Sequence, residues 1–428
     1  MNVLDSVLPL VVVFSEYFTK PGYAHFQRSV FSHMALMGVP HCVTEMMRLS
    51  GVHHIQHWTS AYYFTAKGKW SCQKVWECLL NLLAEKLKIK ELVVAIDDTL
   101  VKRSGKSFFG LGYYPDPTDK NPGGNRRRVL GHCWVVMALL WEQSRGVWFS
   151  FPLAALLFVP QGRCNEKWEF KTKIELAKML LNYLKWPLER LVLVVDNLYA
   201  KETLMRLELK NAAVILLSRL RSNAALYELP PRRKKKQRGR PAKRGKKVTA
   251  KQLYQRSSKR QELRPHMYGC EVTIQAYVGI HIPSVRYGHQ PILVVIFPQR
   301  SGKKMNIFFT TDLEMNPTRL LELYGSRFKI EDTFDELKTV GGFADCRQRS
   351  FTALKRHSTL CMIAYSLLRL ASVTTKDAHQ IEAEPWWHPQ GAPSVTRLRR
   401  AMRKTFGFSG TMQFDRKPTE NEAKTSAA

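Results

Sequence analysis

Apolar positions fall into two rhythms along the chain. From residue 23 to 90 they recur at helical spacing with no alternating stretch, which predicts a block of helices. Short unbroken apolar runs follow: Glu91–Asp98 (ELVVAIDD), Leu191–Asp196 (LVLVVD) and Ala213–Ser218 (AVILLS). Such runs read as strands buried on both faces. A basic Gly/Pro-rich loop spans Lys102–Arg128, and two more β-like runs come after it, Gly131–Trp141 and Val147–Phe158. Residues 166–184 and Ala200–Lys210 read as helices, and 270–280, 291–297 and 306–311 as further strands. A long helix starts near Pro317 and ends at Gly341-Gly342, with Pro and Gly at the ends each favours. The chain after Lys376 is polar, with Pro, Trp and Arg, and is expected to have little order. No internal repeat is evident.

Composition adds a partner class. The 428 residues carry 67 Lys+Arg against 35 Asp+Glu, a formal charge of +32, while 45% hydrophobic content indicates a folded protein. A surplus of that size calls for a polyanion, nucleic acid first and an anionic membrane surface second. The longest apolar stretches, Leu8–Phe14, Cys133–Trp141 and Phe149–Pro160, fall short of the roughly 20 residues a spanning helix needs. Asp5 and Glu16 flank the first of them without a basic region, so a signal peptide is not expected. The eight Cys form no Cys-x-x-Cys pair. Reduced, mostly buried thiols in a cytoplasmic, nucleoid-associated protein are expected, and no structural zinc site.

The charge is concentrated. Pro230–Arg264 holds sixteen Lys/Arg and one acid, Glu262, a composition that predicts a mobile basic loop. Inside it Arg238-Gly239-Arg240-Pro241 looks like an AT-hook core, a minor-groove clamp, and Lys243 and Arg244 extend the basic run. The alternative is a solvated loop that binds phosphate without sequence preference. Thr44–Ser50, the Gly51 turn and His53–Phe64 resemble a helix-turn-helix whose second helix offers His53, His54, Gln56, His57 and Trp58 to DNA. Alternatively this is an ordinary helical hairpin with Trp58 and Tyr62 in its core.

Candidate chemistry lies at strand ends. Asp97-Asp98 closes one predicted strand and Asp196 another. Carboxylates there are costly to bury without a partner or a metal, although Asp also begins many turns. On the predicted helix 317–340, Tyr324, Arg327, Glu331 and Lys338 fall within roughly a 60° arc. A Tyr, two cations and a carboxylate on one stripe suit phosphates and a metal better than an apolar core.

Tyr324-x2-Arg327-x3-Glu331-x6-Lys338, preceded by Asp97-Asp98-Thr99 and Asp196 in that order, resembles the YREK signature of bacterial insertion-sequence DDE transposases. The resemblance covers roughly residues 20–375. It implies an α/β fold: an RNase H-like mixed-sheet catalytic core interrupted by a β-rich insertion, with an all-helical N-terminal domain. The corresponding boundaries are 1–88 for the helical DNA-binding domain, 89–220 for the first part of the core and 221–312 for the basic insertion. The last part of the core, 313–375, bears the Glu helix, and 376–428 is a tail with a role in dimerisation. The 134 residues between Asp196 and Glu331 hold the insertion.

By that resemblance, one of Asp97 and Asp98 joins Asp196 and Glu331 in holding two Mg²⁺ ions, with Mn²⁺ able to substitute. Asp-x-Thr spacing selects Asp97 and acid-Asp-Thr selects Asp98; the expectation leans to Asp97, and Asp335 is the nearest substitute for Glu331. Tyr324, Arg327 and Lys338 would grip phosphates of the transposon end. The base-stacking aromatic of hairpin-forming relatives is replaced at the corresponding position by Asn306. The implied activity is cut-and-paste transposition: binding of terminal inverted repeats, cleavage, and strand transfer into target duplex DNA by a homodimer, with no membrane involved. The alternatives are an inactive DNA-binding derivative and an RNase H-like nuclease without strand transfer.

Overall fold

The computed structural model describes residues 3–407 apart from 53–55, 120–126, 167, 211, 232–241, 257, 259, 285–286, 300–301, 303, 377 and 383–390. Five helices come first: α1 (Val3–Val12), α2 (Lys20–Ala35), α3 (Val43–Leu49), α4 (Trp58–Ala66) and α5 (Cys72–Lys86). Thr19 and Ser71 cap α2 and α5 with their side chains, supplying acceptors to otherwise unpaired N–H groups.

Next come β1 (Leu92–Lys102), β2 (Gly112–Pro115), β3 (Arg128–Ser144), β4 (Val147–Phe158), α6 (Lys173–Tyr183), β5 (Arg190–Val195) and β6 (Ala212–Leu220). Then follow β7 (Ile274–Pro283), β8 (Ile292–Pro298), β9 (Met305–Thr310), α7 (Pro317–Ser326), α8 (Phe328–Thr339), α9 (Phe351–Thr374) and α10 (Val395–Gly407). The long strands hydrogen-bond in the order β4-β3-β1-β5-β6-β9-β8-β7, with β2 also on β3. β1, β3 and β4 are antiparallel neighbours, β5 and β6 run parallel to β1, and β9, β8 and β7 continue antiparallel. This large mixed sheet flanked by helices is consistent with an RNase H-like fold. The strands at 274–310 do not stand apart, because β9 pairs directly with β6.

Leu92–Ile96 and Leu191–Val195 are buried at every position, as strands covered on both faces require. Each Val, Leu or Ile among them contributes roughly 1.5–3 kcal/mol on burial. The 24-residue α9 is buried along most of its length, between β4 and the helices α1, α2, α4 and α5. Its Arg356 donates to the carbonyls of Phe64, Thr65, Gly68 and Trp70, using the guanidinium fork to satisfy the loop between α4 and α5.

Several expectations need correction. β1 runs on to Lys102 instead of stopping at Asp98, because β3 continues to pair with it. Ala200–Lys210 keeps one helical turn, Glu202–Met205, and then a two-residue strand. The tail beyond Lys376 contains α10, which packs on α1 and α2 through the buried Val395, Leu398 and Met402. The basic segment is partly structured, with a helix at Ala250–Gln255 and a strand at Arg260–Leu263 on β7; Val248, Ala250, Leu253 and Leu263 anchor it. The exposed Cys270 and the half-buried Cys164 apart, the cysteines are buried free thiols.

Candidate active site

Pairing between β1 and β5 ends at Ile96 opposite Val195. Beyond that point β1 follows β3, while the chain after β5 turns away at Asp196. Oδ1 of Asp196 accepts the N–H groups of Leu198 (2.8 Å) and Tyr199 (3.3 Å), an Asx turn. A crevice therefore opens where two adjacent parallel strands part, at the carboxyl end of β5, a place where open α/β sheets bind ligands. Side chains alternate along a strand and cross-strand neighbours share a face. Asp97 and Asp196 occupy the next positions after the Ile96–Val195 pair and so lie on one face, and Asp98 points to the other.

The two neighbours meet different surroundings. Burial pushes the Asp97 carboxyl up to about 7; Arg327 works against that rise, and the charge of Asp196 adds to it. Arg327 Nη1 donates to Asp97 Oδ2 at 2.6 Å, and Nη2 donates to Glu331 Oε1 at 2.7 Å. One guanidinium thus ties the strand-end carboxylate to the helix carboxylate. Asp98 instead accepts from Lys173 Nζ at 2.6 Å, from the Tyr199 hydroxyl at 3.1 Å and from the Cys133 thiol at 3.5 Å.

The expected single helix over 317–340 is two helices meeting at Arg327. Bonds at the junction are of the tighter i to i+3 kind, Arg327 N–H to Tyr324 O and Ile330 N–H to Arg327 O. Gly325-Ser326 precedes the break, and Ser326 Oγ donates to Leu323 O at 2.7 Å, a usual cause of a helix kink. Across the break Arg327 still lies over the Tyr324 ring at 5.9 Å. Tyr324 packs edge-on against Phe308 at 4.7 Å, and Lys338 pairs with Asp335 at 3.3 Å. Glu331, Asp335 and Lys338 line one cleft of about 420 Å³ with Asp98 and Lys173. A second cleft, about 730 Å³, places Asn306 with Tyr324, Phe308, Phe297, Tyr268 and Arg219.

Other singled-out residues lie elsewhere. Arg238, Arg240, His53 and His54 fall outside the described residues. Lys243 is exposed, and Arg244 stacks over the Tyr227 ring at 4.8 Å. Among the described residues no contact joins either to the acidic cluster. Trp58, at the start of α4, is 53% exposed, so it is not a core residue. Lys173 and Tyr199 escaped the sequence reading. Lys173 is the first residue of α6 after the Thr172 cap, and nothing local distinguishes it from a solvated helix lysine. Tyr199 carried a weak signal, three residues after a strand-end Asp.

Carboxylates beside the point where two parallel strands part, one of them bridged to a helix carboxylate, suit divalent metal ions of the kind that act on phosphodiesters. The family model for DDE superfamily endonucleases matches residues 30–273, more than half of the chain, and the chain belongs to that family. The match includes Asp97, Asp98 and Asp196 and stops before Glu331. No curated protein matches the chain.

Proposed function

We propose that this protein is a DNA transposase of the insertion-sequence kind, cleaving DNA at the ends of its element and joining the free 3′-hydroxyls to target duplex DNA. The observation that carries the reading is the Asp97–Arg327–Glu331 bridge beside Asp196. It brings carboxylates 234 positions apart in sequence into one electrostatic unit at the mouth of the sheet.

The donor set suits a hard divalent cation. Asp97 and Glu331 share one guanidinium, and burial, with the Asp196 charge beside it, pushes Asp97 up to about 7; carboxylate oxygens of this kind are ligands for Mg²⁺ or Mn²⁺. Asp97, Asp196 and Glu331 would hold two such ions, which supply Lewis acidity at the scissile phosphate and a stronger nucleophile. Arg327 holds Asp97 and Glu331 in register. Tyr324, braced by Phe308, and Lys338, at the far end of the cleft, position the DNA backbone. Asp98 keeps Lys173 and Tyr199 in place. Lys243, Arg244 and the basic segment around Arg238 and Arg240 add affinity for duplex DNA. The protein acts as a homodimer, since two ends must be brought together.

Supplying pre-cleaved element ends, a target plasmid and Mg²⁺ tests the reading. Joined products are expected. Scission without joining would make the protein a nuclease, and salt-sensitive DNA binding with neither reaction would make it a binding protein derived from such an enzyme.

A further inference from the structure

A second cluster of ligand-type side chains lies away from the acidic crevice, where the N-terminal helices meet α9. The last turn of α2 presents His33. One face of α9 presents His357 and Cys361, four residues and one turn apart. Their exposures are 2%, 6% and 0%, and atoms able to ligate a metal lie within 4.8 Å of one another. Cys361 Sγ is 3.6 Å from both ring nitrogens of His33. Equal distances place Sγ off the lone-pair axis of either nitrogen, so an ion shared by the two requires the His33 ring to turn and aim one nitrogen's lone pair at the sulfur's side.

The surroundings orient these rings as metal ligands are oriented. Nε2 of His357 lies 2.8 Å from the Gly342 carbonyl. That carbonyl accepts a hydrogen bond from Nε2–H and leaves Nδ1 with a free lone pair, the outer-shell arrangement that metal-bound histidines use. His41, 3% exposed, stands edge-on to His33 with ring centroids 5.4 Å apart, and its Nδ1 is buried without a partner among the described residues. A cavity of about 30 Å³ borders His33 and His357. Arg399, 3.0 Å from His41 Nε2, and Asp345, which accepts the His41 N–H at 2.8 Å, flank the set with opposite charges.

We infer that His33, His357 and Cys361 form a structural zinc site. Nitrogen and thiolate ligands select zinc over the hard cations of a carboxylate site. The ion would fasten α2 to α9 and to the Gly341-Gly342 turn that ends α8, and so steady the helix carrying Glu331. Cysteine spacing could not reveal it, because the ligands come from helices more than 300 residues apart in sequence.

Elemental analysis of the full chain, dialysed against Mg²⁺ without chelator, should find one equivalent of zinc. It should be retained in Asp97→Asn and lost in His33→Asn and Cys361→Ser. Cobalt exchanged into the wild-type protein should give a thiolate-to-metal charge-transfer band, a readout that needs no variant to fold. A wild-type protein that holds no zinc and melts at the same temperature with added zinc overturns the inference. So does a zinc equivalent that survives loss of Cys361.

Discussion

Asp97 and Asp98 are chemically the same side chain on consecutive residues of one strand, yet the fold gives them opposite fates. Asp98 is satisfied three ways, by an ammonium, a phenol and a thiol, each on a different element. Asp97 accepts from the Asp98 N–H at 2.9 Å and from one guanidinium that it shares with Glu331, and it faces another carboxylate. A fully paired carboxylate holds structure together. An underpaired one beside like charge is a site waiting for a cation.

The comparison breaks most sharply on the carboxylates of the open face. Asp196→Asn and Glu331→Gln should each lower Mg²⁺-dependent scission by a factor on the order of a thousand or more, as loss of a group essential to the chemistry does; gel assays of element-end cleavage measure it. Activity within tenfold of wild type in either variant would remove that residue from the proposed ligand set. Arg327→Ala should have the next largest effect, roughly tenfold to a hundredfold on scission. It should also move the lower limb of the pH–rate profile to higher pH, since the cation that opposes the rise of Asp97 is gone.

The pH profile of the wild-type protein sharpens the same contrast. With Asp97 pushed up to about 7 by burial, scission at low Mg²⁺ should fall as pH drops through that value. Added Mg²⁺ competes with the proton and should move the fall to lower pH; a profile insensitive to Mg²⁺ would contradict the assignment.

Stability carries the opposite sign. A carboxyl whose folded value lies above its unfolded one contributes stability below about pH 4 and loses it as pH rises through about 7. Asp97→Asn should therefore raise the melting temperature by a few degrees at pH 8 in the absence of metal and have little effect near pH 4, whereas Asp98→Asn should lower it by leaving Lys173 short of its partner. Differential scanning calorimetry separates the two. The smallest effect is expected away from the crevice: Lys243→Ala should weaken DNA binding a few-fold and flatten its salt dependence by about one charge, without changing the rate of scission of bound DNA.

Much of this arrangement was legible in the sequence. Apolar runs ending on Asp97-Asp98 and Asp196 marked buried strands and their mouths, and the spacing from Tyr324 to Lys338 marked a polar helix. The choice between Asp97 and Asp98 was not legible, because alternation says that they diverge but not which face meets Asp196; the β1–β5 register puts Asp97 on that face, and the proposed ligand set rests on it. The break at Arg327 hid behind a helical period that Gly325-Ser326 interrupts without disturbing the pattern. Helix α10 was missed because Pro, Trp and Arg around it outweighed Val395, Leu398 and Met402. Lys173 and the His33–His357–Cys361 cluster are tertiary facts, built from residues that are unremarkable in their own segments.

The central claim is that Asp97, not Asp98, completes the metal-holding carboxylates. It is tested most directly by measuring Mg²⁺-dependent strand scission by Asp97→Asn and Asp98→Asn side by side on DNA carrying the element's ends. Scission lost in the first variant and retained in the second is the predicted result. Retention in Asp97→Asn with loss in a folded Asp98→Asn would contradict it.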